Sequence, residues 1–302
     1  MASVEIGAPA RHQTGPAPDS AGASSARPRR QPFRWQRWLL MVFLIVLSLS
    51  FLVPALWMLN ASLRPEAKVL EFPPRLALRH PEWSNYGKVF SNITPYLINS
   101  VKLAVLNVVG SCIVASMSGF AFARLRFVGR DLLFGVVLVT AIVPSVVYLL
   151  PQYILFQKFG WVDTLYPLWV PQILTPVFGT FLMRQAFMTL PIELDESARM
   201  DGASTFRIFV SIMVPLVKPA IASVAIFSFL GSWNDLFGPL IFLTSAEKQT
   251  LPIFLAQFQG EFFTSVAPLM AAATVTVVPV LIIFLLAQRY FVQGVTGSAL
   301  KG

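Results

Sequence analysis

The sequence predicts an all-α protein, a polytopic bundle of six transmembrane helices. Three observations carry that prediction. The 302 residues are 56% hydrophobic and only 12% charged, roughly half the charge of a soluble domain, so the apolar side chains exceed what a water-facing fold can hide. The apolar residues gather in six runs of the length needed to cross ~30 Å of hydrocarbon. Proline recurs inside those runs, at Pro144, Pro151, Pro167, Pro171, Pro176 and Pro279. Soluble helices reject such prolines, whereas in a bilayer neighbouring helices satisfy the freed carbonyls.

Residues 1–34 are rich in Ala, Pro, Ser, Gly and Arg, bury little, and read as a disordered basic tail. Residues 35–302 form the transmembrane domain. The first run, 38–59, is too long for a signal peptide and no small-residue cleavage site follows it, so it stays as helix 1. The segment 60–96 carries Pro65, Pro73, Pro74, Pro81, Glu66, Glu71, Glu82 and Trp83. It is either a surface for an extracytoplasmic partner or a solvated connector. The remaining spans are expected at 97–123, 132–156, 165–183, 219–243 and 266–287, with a long polar loop at 184–218.

Six crossings put both termini on one side, and Lys and Arg decide which. With the N-terminus in the cytoplasm, 15 of the 23 basic residues fall in cytoplasmic parts, among them Arg124, Arg126 and Arg130 in one short loop, where the positive-inside rule is strongest. The net charge of +9 therefore reflects cytoplasmic loops rather than nucleic-acid binding.

The chain has no enzyme constellation. Its one cysteine, Cys112, sits in an apolar run and excludes a disulfide framework or a thiol metal site. The two histidines, His12 and His80, lie in polar segments, so a Ser–His dyad within the membrane is not available. Metal-ligand spacing and a phosphate-binding G-x-x-x-x-G-K-[ST] stretch are both absent from the sequence.

Two full charges fall within apolar runs, Lys102 and Asp235; such residues usually face a bundle interior or a water-filled path. Lys102 is placed to snorkel to the interface. Asp235 closes Gly231-Ser232-Trp233-Asn234-Asp235, a polar patch expected in the middle of helix 5. Trp233, Asn234 and Asp235 offer the chemistry that binds sugars, a ring for the C–H face and polar groups for hydroxyls. A helix–helix hydrogen-bond cluster explains the patch equally well. Asn99 joins the same candidate substrate path; for it, and for Ser100 and Asn107, packing is the alternative.

The most distinctive stretch is 190–215, LPIELDESARMDGASTFRIFVSIMVP. Pro191 suits a first helical position, and Glu193, Asp195 and Glu196 complement the helix dipole in the first turns. Ala198 and Gly202, four apart, share a nearly bare face that another backbone could approach. Gly202 ends this helix, Ser204 caps a second, and Pro215 stops or bends that one.

Glu196-Ser197-Ala198-x-x-x-Gly202, nine residues, then Ile212-x-Val214-Pro215 resembles the EAA loop of ABC importer permeases, E-A-A-x-x-x-G-x9-I-x-L-P. Ser197 stands for Ala and Val214 for Leu. Trp233 to Leu243, the run Thr250-Leu251-Pro252 and the ending from Gln288 to Gly302 are similar to carbohydrate permeases of the maltose-permease G type, with Gly297-Ser298 where that group has Ala-Gly. The resemblance implies an ABC type I importer permease fold in the inner membrane. Glu196, Ser197, Ala198, Asp201, Gly202, Ile212 and Pro215 are then the coupling residues. It also implies four kinds of partner: lipid, a second permease chain, two ATP-binding subunits that hold ATP and Mg²⁺, and an extracytoplasmic solute-binding protein. No cofactor is expected on this chain itself. The solute would be a sugar, a polyol or a glycerophosphate-type compound. An ion-coupled secondary transporter and a non-transporting membrane assembly protein stay open as alternatives.

Overall fold

The computed structural model describes residues 34–72, 80–258 and 265–299. The tail expected at residues 1–34 therefore lies almost wholly outside the described residues, as do Pro73, Pro74 and Lys301. The chain divides into two units, residues up to Phe51 and residues from Leu52 onward.

Helix α1 runs Arg34–Ser62. Its residues from 37 to 56 are exposed and almost entirely apolar, as a lipid-facing span requires. Helix α2, Ser84–Arg124, is the spine of the second unit. At 1.5 Å per residue it is about 60 Å long, twice the thickness of the hydrocarbon. It begins 13 residues before the expected start at 97. The reason is a buried stripe of Asn85, Val89 and Ile93 at four-residue spacing, which gives the first turns a core to face. Asn85 also donates to Ser62 O (3.0 Å) and Arg64 O (2.9 Å), satisfying carbonyls at the end of α1.

The third apolar run does not form one straight helix. Helices α3 (Arg130–Thr140) and α4 (Ser145–Lys158) meet at 95°. Pro144 lacks an N–H and pushes Val143 out of helical conformation. Helices α5 (Tyr166–Leu174) and α6 (Val177–Met188) are likewise interrupted at Thr175 and Pro176. The expected polar loop then holds α7 (Glu193–Met200), α8 (Thr205–Ile208), a π-helical turn (Phe209–Met213) and α9 (Val214–Leu216). After an 80° bend at Val217 comes α10, Lys218–Trp233. Helices α11 (Phe237–Phe242) and α12 (Leu251–Gln257) follow, and α13 runs Val266–Ala299. Three helices are long and apolar enough to cross a membrane; counting each of three bent pairs as one span brings the total to six among the described residues.

Three apolar clusters line α2. Val89, Ile93 and Ala104 pack with Phe229 and Trp233 of α10 and with residues of α12 and α13. Leu103 packs with α4, α5 and α11. Ala115 and Phe120 pack with Met183 and Phe187 of α6 and with Ala198 and Ile208. Close approach at the α2–α6 crossing depends on Gly119, where an added Cβ would stand 2.5 Å from Met183 Cβ and 2.8 Å from Arg184 N. Glu66 holds the start of α13, its carboxylate accepting from Val266 N (2.6 Å) and Ala267 N (2.8 Å). A carboxylate suits a helix N-terminus, so this part of the segment 60–96 has a bonding role.

Candidate functional site

Two features stand out along α2: a helical elbow beside its C-terminus and a polar cavity nearer its middle. The elbow is α7 and the turn after it. Ala203 N donates to Ala198 O and Gly202 N to Arg199 O, both at 3.0 Å. This Schellman closure needs a left-handed residue, and Gly202 supplies it at φ 77°. Ser204 Oγ then accepts from Arg207 N at 3.3 Å and starts α8.

Helix α7 lies against the bundle by one face only. Ala198 is 7% exposed and packs in the cluster with Met183, Phe187 and Ile208. The expected bare face shared by Ala198 and Gly202 is therefore not an open surface. Ala198 is turned inward because its methyl fits the floor made by α6 and α8. Gly202 sits beyond the helix, exposed, with open space around it. Glu193, Glu196, Ser197, Arg199, Met200, Asp201 and Pro215 are exposed, and Ile212 packs on the inner cluster. No ion pair among the described residues joins Glu196 to Arg199. Asp195, expected only to complement the helix dipole, points inward. Its Oδ2 lies 3.0 Å from Nη1 of Arg124, the last residue of α2, with the two side chains 7% and 8% exposed. The signal was available in part: Asp195 and Ala198 are three apart and share a face.

The cavity, about 980 Å³, is lined by α2, the end of α3, α4, α5, α6, α10 and α11. Its polar side chains include Ser111, Tyr148, Gln152, Gln172, Ser228 and Asp235. Among its described lining residues Asp235 is the only charged one. Asp235 does not sit in mid-helix as expected: α10 ends at Trp233. Pro239 cannot donate to the carbonyl of Asp235, so the helix is interrupted there, and Asp235 Oδ1 accepts from Gly238 N (3.1 Å) as α11 begins.

The other expected substrate-path residues are elsewhere. Trp233 is 1% exposed, stacks on Phe229 and donates Nε1–H to Thr276 O (3.2 Å), one turn before Pro279. Asn234 bonds back to Leu230 O (2.9 Å). Asn99 donates to Glu247 O (2.8 Å) and Gln249 O (3.1 Å), Ser100 Oγ accepts from Leu251 N (2.9 Å), and Asn107 reaches Leu168 O and Ser232 Oγ. Apart from the Asn234 bond, which stays at the end of α10, these amides and hydroxyls satisfy groups of neighbouring elements, and Asn107 ties α2 to Leu168 of the cavity wall. Gln152 and Gln172 were missed; an amide within a proline-rich apolar run was the available sign.

Residues 113–297, which include the elbow, match the family described as the inner membrane component of binding-protein-dependent transport systems. The chain belongs to that family. It is a permease, a non-catalytic transport component. Over 275 residues it is 35% identical to the arabinooligosaccharides transport system permease protein AraQ of Bacillus subtilis, covering 89% of this chain and 98% of that one. It is 32% identical over 273 residues to the trehalose/maltose transport system permease protein MalG of Thermococcus litoralis, covering 88% and 98%. A crystal structure of a bacterial ABC transporter involved in the import of the acidic polysaccharide alginate contains a chain of the same fold. There the TM-score is 0.73 at 24% identity, over 86% of this permease and all of that chain.

Proposed function

We propose that this permease carries a neutral carbohydrate or polyol inward, and that α7 with its following turn is the contact through which ATP-binding subunits drive it. The observation that carries the reading is the cavity wall. Among the described lining residues it combines a tyrosine ring, two glutamine amides and hydroxyls with one carboxylate and no cation. That wall can exchange hydrogen bonds with sugar hydroxyls and offers no countercharge to a phosphate or a uronic acid. Permeases named for arabinooligosaccharides, galactooligosaccharides and trehalose/maltose are among the relatives.

The elbow faces the cytoplasm in this reading, as the basic loop Arg124–Arg130 requires, and both termini lie on that side. Glu196, Ser197, Asp201 and Gly202 are free to meet an ATPase, while Ala198 and Ile212 hold the elbow to the bundle. A second permease chain completes the cavity. An extracytoplasmic binding protein delivers the solute, and two partner subunits hold ATP and Mg²⁺. Closure of those subunits displaces α7, and the helices reorient around the solute.

The test is uptake in proteoliposomes holding the full transporter and its binding protein. Saturating neutral oligosaccharide should be carried, and Gln172→Ala or Asp235→Asn should lower uptake while ATP hydrolysis persists. Unchanged uptake in both variants would remove the cavity from the solute path.

A further inference from the structure

We infer that Arg124 is the positioning residue that locks the coupling elbow to the central helix, so that displacement of α7 reaches α2 as rigid-body movement. The inference rests on the reading of α7 as the ATPase contact.

The elbow has a non-helical joint at each end. Thr189–Ile192 separates it from α6, and Asp201–Ser204 separates it from α8. A helix of eight residues set off by a joint at each end moves distant elements chiefly through what its side chains hold. Ala198 offers an apolar footing, which resists compression but has no directional bond. Arg124 supplies the directional link. Its Nη1 meets Asp195 Oδ2 at 3.0 Å, and its Nη2 donates to Phe187 O and Leu190 O, each at 2.6 Å. One planar guanidinium therefore joins the end of α2, the end of α6 and the inner face of α7. Phe187 O lies in the last turn of α6, where the helix dipole favours a cation, and Leu190 O lies in the joint just beyond it.

The residue types matter. A guanidinium has donors enough, in a rigid fork, to serve a carboxylate and two carbonyls together; an ammonium is a point charge that cannot hold all three in one geometry. A buried ion pair is a poor device for stability, because desolvation offsets the attraction, but it fixes geometry. Arg184 adds a second tie nearby. Its Nε reaches Phe122 O at 3.4 Å and its Cζ sits 4.2 Å above the Phe134 ring, joining α6 to α2 and α3. That tie does not touch α7, so Arg124 alone carries the polar connection to the elbow among the described residues.

The experiment uses the complete transporter in proteoliposomes, with Arg124→Lys and Asp195→Asn, the second nearly isosteric so that folding is kept. Three quantities are read: ATPase subunits retained on purification through the permease, ATP hydrolysed, and solute carried per ATP. The expected result is retained subunits, continuing hydrolysis and about a tenfold fall in solute per ATP, within the range of coupling energies between sites. Solute per ATP within twofold of wild type in both variants, with the complex intact, overturns the role of Arg124. The docking reading is scored separately by Gly202→Asp, which should release the ATPase subunits or stop uptake. If it does neither, the elbow is not the ATPase contact, whatever the Arg124 variants show.

Discussion

Lys248 Nζ stands 2.8 Å from Asp163 Oδ2 and 2.8 Å from Asp163 O, tying the α4–α5 loop to the α11–α12 loop. The same carboxylate accepts from Thr244 N, Ser245 N and Ser245 Oγ, while Asp163 N donates to Phe242 O at 2.7 Å. Asp163 adopts φ 59°, a left-handed conformation that aspartate tolerates better than most residues. Glu247 and Gln249, which flank Lys248, bond to Asn99 of α2. The knot is therefore anchored roughly 37 Å along α2 from Arg124, at 1.5 Å per residue.

Asp163 makes stability depend on acid. Lys248, then Ser245, hold its carboxyl well below the usual carboxylate range. A depressed pKa contributes stability that is complete above the unfolded value near ~4 and is lost as pH falls through the folded value. Melting temperature in detergent should fall below about pH 4 for wild type. Asp163→Asn, which keeps the tolerated backbone conformation, should flatten that decline and lower the neutral-pH value. An identical acid profile in the variant would show that the knot is not responsible.

Gly202 separates backbone from docking. A Cβ there meets nothing within 4 Å, but φ 77° is unfavourable for an L side chain. Gly202→Ala should cost about 1–2 kcal/mol of stability from conformation alone, and Gly202→Asn less, because Asn visits this region more readily. Thermal melts of the two variants check the order; equal melts would mean the turn relaxes.

At the α2–α6 crossing, Gly119→Ala should destabilise by about 1–3 kcal/mol through overpacking. The obstruction is Met183 Cβ and Arg184 N, not a flexible side-chain end. Met183→Ala should therefore fail to rescue it. Rescue in the double variant would show that the helices separate instead of clashing.

Asn99 is a bonding residue between α2 and the loop before α12. Asn99→Leu leaves the carbonyls of Glu247 and Gln249 without their donor and should cost about 1–3 kcal/mol. The relative uptake of different sugars should not change. A change in sugar preference without a loss of melting temperature would return Asn99 to the solute path.

Much of the architecture was legible because lipid makes span length and apolar content nearly sufficient signals. Helix α1 runs Arg34–Ser62 where 38–59 is expected, and α13 runs Val266–Ala299 where 266–287 is expected. Pro144 shows in the sequence that a helical bond is lost, but the 95° bend beside it is a property of the fold. A proline marks where a helix loses a bond; the packing around it sets whether it kinks slightly or turns a corner. The candidate site was legible less evenly. Trp233 and Asp235 are two residues apart in one patch, yet a helix end between them sends one into the core and the other to the cavity.

By itself the sequence determined that the chain is a multi-pass helical permease and that a polar elbow at 190–215 separates two of its apolar runs. Composition and spacing suffice for that, because each is a property of neighbouring residues. The tertiary structure alone decided which face of the elbow is covered, that Ala198 looks inward, and that Asp195 finds Arg124. Helical periodicity tells which side chains share a face; which face is buried depends on what distant chain lies against it.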